Sequence, residues 1–164
     1  MSAQIEPTLS EMTIQSDKVR PVFAWPSGCC GASVSVFVPA NVPSSNNLPV
    51  IAEILNPFGQ ALSRGINLNA YFEESLEIGE AMLTECIEAS LSDIALAKSN
   101  GADGILYVVC GATEAHCSPM QYGGLYLERD RDVLIEASKW AFIIAFVVGN
   151  ESTYLDIVSD LPCD

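Results

Sequence analysis

Apolar and polar positions along the chain alternate between two periods, and the switches between them mark its elements. Residues 1 to about 20 are polar and aperiodic, an N-terminal arm preceding one domain over residues 21–164. Pro21-Val-Phe-Ala-Trp25 reads as a strand closed by the Pro26-Ser-Gly turn. In Ser33-Val-Ser-Val-Phe-Val38 the alternating valines predict a one-sided strand. The stretch from Pro39 to Asn47 is dense in Pro, Ser and Asn and reads as a loop. A strand over Leu48–Leu55 follows, and Pro57 and Gly59 are expected to stop regular structure after it.

From Glu73 to Lys98, Leu76, Leu83, Ile87 and Ile94 recur on one stripe of an amphipathic helix, and Asn100-Gly101 supplies a left-handed stop. Ile105-Leu-Tyr-Val-Val109 is a wholly apolar strand of the kind buried on both faces in parallel sheets. A long loop is expected from Cys110 to Gly124. Beyond it come a helix over Leu127–Lys139, with Glu128, Asp130 and Asp132 near its positive end, and a strand over Ala141–Val148. A last helix is expected with Ser152 as its N-cap. Strands alternating with helices predict an α/β fold with mainly parallel strands. Five strand candidates are too few for a closed eight-stranded barrel, which takes about 250 residues.

Composition narrows the partners. Seven Lys and Arg against 21 Asp and Glu give a net charge of −14, with hydrophobic residues at 49% and mean hydropathy of +0.29. That is globular, and its acidity argues against nucleic acid or an anionic membrane surface as a partner. The longest apolar run, Trp140–Val148, is nine residues, half of what a membrane span requires. The first 17 residues hold neither a basic leader nor an apolar stretch, so the expected location is cytoplasmic, with the six cysteines as thiols.

Asn56-Pro-Phe-Gly59, Ala97-Lys-Ser-Asn-Gly-Ala-Asp-Gly-Ile-Leu106, the Ser118-Pro-Met loop, and Phe146-Val-Val-Gly149 through Tyr154-Leu-Asp156 to Leu161-Pro162 follow one another as in uroporphyrinogen decarboxylase and its relatives. The resemblance spans roughly Leu48 to Asp164 and corresponds to the middle of such a barrel. It implies a partial βα, TIM-like barrel, a carboxy-lyase (decarboxylase) activity of porphyrin biosynthesis, and a carboxylated tetrapyrrole or related small molecule as ligand. The family's Arg-rich loop after the first strand has no counterpart in Pro26-Ser-Gly-Cys-Cys30, and Gly59-Gln-Ala-Leu-Ser63 lacks the family's tyrosine. The sister group, the corrinoid-linked methyltransferases, binds zinc through a His-x-Cys-Gly motif that here reads Phe146-Val-Val-Gly149.

In such a fold ligands sit where strands end, which selects the loops starting at Asn56, Cys110 and Gly149. They offer Asn56, Gln60, Arg64, Thr113, Asn150 and Glu151 for substrate binding. His116, the one imidazole, is the natural acid or base near neutral pH, with Tyr122 beside it and Glu114 to orient it. The plainer reading makes these loops polar turns over a packed sheet. Cys110, His116 and Cys117 are soft ligands at irregular spacing, so neither a metal site nor a cofactor is assigned. Cys29 and Cys30 read as part of a turn. The alternating Arg129, Asp130, Arg131 and Asp132 read as local pairing on a solvated face, or as an Arg aimed at a substrate carboxylate. A partial barrel also leaves sheet edges to be covered. The alternative function is therefore a non-catalytic module that pairs with a second copy or with a homologous chain.

Overall fold

The computed structural model describes the backbone of residues 36–39 and the whole of residues 50–149 and 152–164. The arm, the strand at Pro21–Trp25, the Cys29-Cys30 pair, nearly all of the Pro/Ser/Asn loop, and Asn150 and Glu151 lie outside the described residues.

Four strands form one sheet: β1 (Val36–Pro39), β2 (Val50–Leu55), β3 (Gly104–Val109) and β4 (Phe142–Val147). Every neighbouring pair is parallel, and strand order in the sheet repeats chain order. β3 pairs on both sides and is buried along its whole length, as its uninterrupted apolar run requires.

Strand alternation sends Ala52, Ile54, Ile105, Tyr107 and Ile143 into the main core, where they meet the helices. Ile51, Leu106 and Val108 form a smaller cluster on the opposite face. Helices cover the first face: α1 (Pro57–Ser63), α2 (Leu68–Glu74), α3 (Leu76–Ser99), the three-residue α4 (Pro119–Gln121), α5 (Leu127–Ala137) and the short α6 (Leu155–Val158). Among the described residues, no helix is long and apolar enough to cross a membrane.

Several local expectations are revised. Pro57 does not stop regular structure; it opens α1, because Asn56 caps it by accepting from Gly59 N at 2.8 Å, and proline is pre-set for a first helical turn. The helix expected over Glu73–Lys98 is two helices broken at Ser75, whose extended backbone (φ −163°, ψ 139°) ends α2 while its hydroxyl accepts from Glu77 N. Leu76 is consequently 66% exposed, and the buried stripe of α3 runs through Gly79, Leu83, Cys86, Ser90, Ile94 and Ala97. Small side chains on that stripe allow close packing. A Cβ on Gly79 would lie 2.4 Å from the Phe72 ring of α2, so glycine is what lets α2 fold back on α3.

The loop after β3 is less irregular than its composition suggests. Ser118 and Gln121 form a reciprocal capping box on α4, and a π turn over Tyr122–Tyr126 carries the chain into α5. The last helix starts three residues after Ser152. Thr153 is held in an antiparallel bridge with Thr113, and Tyr154 N donates to Ala112 O, so helical geometry begins only at Leu155.

Candidate functional site

Two polar clusters sit where β2 and β3 end. The first is centred on Asn56, the residue after β2. Its side-chain oxygen accepts from Gly59 N at 2.8 Å and Cys110 N at 3.0 Å. Its amide nitrogen donates to Cys110 O at 3.1 Å and to both oxygens of Asp130 at 3.2 Å. One side chain thus ties two strand ends to two helices.

Asp130, from the first turn of α5, also accepts from Tyr107 Oη at 3.0 Å and Tyr122 Oη at 2.5 Å. It is 1% exposed, and burial pushes its carboxyl up to about 6, against the pull of the bonds from Tyr122, Asn56 and Tyr107. Burial, and next the charge of Asp130, hold the phenols of Tyr107 and Tyr122 well above their ordinary range, so both remain donors. The sequence-based reading of Asp130 as a solvated charge is therefore overturned. Its neighbours pair elsewhere: Arg129 with Glu80 at 3.3 Å, and Arg131 with Glu128 at 2.7 Å and Asp160 at 3.8 Å.

The second cluster borders an open cleft of about 520 Å³ between α1, α2 and the loop after β3, a volume within the ordinary range for small-molecule sites. Phe58, Asn67, Asn69, Glu73 and His116 supply its aromatic, amide, acid and imidazole groups. His116 is exposed, its ring centroid 5.6 Å from that of Phe58. Its backbone is firmly held: N donates to Thr113 O at 3.0 Å, and O accepts from Asn69 Nδ2 at 2.7 Å. Asn69 is steadied in turn by Tyr126, whose hydroxyl donates to Asn69 Oδ1 at 2.7 Å. The loop is further pinned by Tyr154 Oη, which donates to Cys117 O at 2.6 Å.

Among the expected site residues that are described, His116 alone lines this cleft. Asn56 is buried in the first cluster, and Gln60 is buried with its amide donating to Asp93 at 2.7 Å. Thr113 is buried at its bridge to Thr153, and a Cβ on Gly149 would strike both threonine side chains, closing that corner. Tyr122 is fully buried with its hydroxyl on Asp130, which removes it as a partner of His116. Glu114 is exposed and, among the described residues, makes no hydrogen bond to the imidazole. Arg64 caps the end of α1, lies in the chain between the cleft residues Leu62 and Gly65, and has no acidic partner among the described residues.

Cys110, His116 and Cys117 do not assemble as ligands: no group of three or more His, Cys, Asp or Glu among the described residues has metal-holding geometry. Burial raises the thiols of Cys110 and Cys117, so neither is an activated nucleophile. Asn67, Asn69 and Glu73 escaped sequence reasoning because nothing in the sequence reveals the break at Ser75 that folds α2 over the loop. Asp130 carried a readable signal, since Tyr126, Asp130, Val133 and Ala137 share one helical face. In comparisons with known proteins, no family model and no curated protein matches the chain.

Proposed function

We propose that the chain is a uroporphyrinogen decarboxylase-like βα unit, one arc of a TIM-like barrel, that binds a carboxylated small molecule of the tetrapyrrole class at its strand ends. The observation that carries this reading is the cleft itself: it opens beside the ends of parallel strands laid down in chain order, and it holds the chain's one imidazole. Arg64 is the carboxylate partner, as the described arginine that is not already ion-paired. A pyrrole edge bearing one acidic arm suits the cleft volume. In a carboxy-lyase step the carbon–carboxylate bond breaks, carbon dioxide leaves, and the electron pair left on carbon takes a proton from the His116 imidazolium, which solvent then restores. Tyr122 and Glu114 take no part.

A second reading, a non-catalytic module that keeps the scaffold and pairs with another copy or a homologous chain, draws on the closed state of the first cluster. The residues most like an acid–phenol pair, Asp130 and Tyr122, spend their hydrogen bonds on each other and on Asn56. Titration with uroporphyrin at two salt concentrations, with light scattering on the same sample, separates the two. Salt-sensitive binding that is lost in Arg64→Ala and His116→Ala supports the first reading. No binding, together with a dimer in the scattering, replaces it with the second.

A further inference from the structure

On the outer helical layer, away from the strand ends, a second groove of about 480 Å³ runs between α3 and α5. We propose that it binds an amphiphilic monocarboxylate, a medium-length alkyl or aryl tail ending in one carboxylate. Ile87, Leu91 and Ile94 follow at steps of four and three and form one apolar stripe along α3. Val133 of α5, fully buried, and Trp140, partly exposed, complete the wall.

The head-group preference comes from charge. The whole chain has three lysines, at 18, 98 and 139, and two of them border this groove. Lys139 is already paired with Glu136. Lys98 has no acidic partner among the described residues; its ammonium lies 6.0 Å from the centre of the Trp140 ring. At 1.5 Å per helical residue, Lys98 stands about 16 Å along α3 from Ile87, so the groove offers a long apolar floor with a cation at one end. Asp132, also at the groove and without an ion-pair partner among the described residues, disfavours a head group with more than one negative charge. The site is independent of the cleft at His116.

The test is calorimetric titration with decanoate below its micelle concentration, backed by Trp140 fluorescence in a Trp25→Phe background. One saturable site is expected, at least about tenfold weaker for decanol and for decyltrimethylammonium, and at least about tenfold weaker for decanoate in Lys98→Met. Leu91→Glu should abolish binding, while His116→Ala leaves it unchanged. Equal affinity for decanol, unchanged affinity in Lys98→Met, or no saturable site in the wild-type chain would each overturn the proposal.

Discussion

The two polar clusters at the ends of β2 and β3 are built from similar residue types and behave oppositely. Around Asp130, an amide, a carboxylate and two phenols form a set in which both carboxylate oxygens are hydrogen-bonded and water is excluded. Around His116, another amide and another phenol, Asn69 and Tyr126, hold the loop at the His116 carbonyl and the Cys117 thiol, and the imidazole stands in an open cleft. Hydrogen bonds spent inward make a polar cluster part of the scaffold, whereas a cluster that spends them on holding a loop leaves that loop's exposed side chain for a ligand. Burial and saturation, more than residue type, separate structural from functional polarity here.

The sharpest way to break this contrast is Asp130→Ala. It leaves three buried donors, on Asn56, Tyr107 and Tyr122, without their acceptor, and a loss of about 3–4 kcal/mol in urea unfolding at neutral pH is expected. A loss below about 1 kcal/mol would mean that the cluster is wetter and looser than its burial implies.

The same carboxyl should make stability depend on pH. Its folded pKa, about 6, lies above the ordinary 3.8, so the folded chain holds the proton more tightly than the unfolded chain does. The contribution is fully present below about pH 3.8, falls as pH rises, and is gone above about 6, a change of about 3 kcal/mol. Comparing urea midpoints of the wild type and Asp130→Asn across this window isolates the effect, because the other acids titrate alike in both. A difference that stays flat from pH 4 to 7 would return Asp130 to an ordinary carboxyl.

Tyr122→Phe probes one arm of the cluster. It removes a single donor while Tyr107 and Asn56 still hold Asp130, so a smaller loss of about 1–2 kcal/mol is expected in the same unfolding measurement. The carboxyl pKa should rise further, since the Tyr122 bond is the strongest influence keeping it down. A pH transition displaced upward in this variant would tie the two measurements to one network.

How far the sequence reveals this division follows from the range of the interactions involved. The parallel α/β class was readable because β3 is a continuous apolar run and the helix–turn–strand step at Gly101 is local, with Gly101 at φ 79° after the Asn100 cap. The break at Ser75 was not readable. It depends on a close approach between Phe72 and Gly79, a tertiary fact that a helical pattern runs straight through. Asn56, Gln60 and Tyr122 read as site residues in the sequence because their chemistry and placement are those of a site. Their partners, Asp130 and Asp93, lie 74, 33 and 8 residues along the chain, and only folding shows that their hydrogen bonds are already taken. His116 differs in that, among the described residues, no side chain hydrogen-bonds its imidazole.

The smallest effect on stability is expected from His116→Ala. The imidazole is exposed, and its hold on the fold runs through the backbone, with Thr113 O and Asn69 Nδ2 as partners that an alanine retains. Its ring packs tilted on Phe58, so the unfolding free energy should change by no more than about 0.5 kcal/mol. Binding at the cleft should behave in the opposite way, with uroporphyrin affinity falling while the urea midpoint stays in place. Asn69→Ala supplies the counter-case: it removes the strut between Tyr126 and the His116 carbonyl, and both stability and affinity should drop, by about 1 kcal/mol in the former. If His116→Ala instead destabilised the chain as much as Asn69→Ala does, the imidazole would belong with Asp130 among the scaffold groups, and the cleft would lose its imidazole as a group for a ligand.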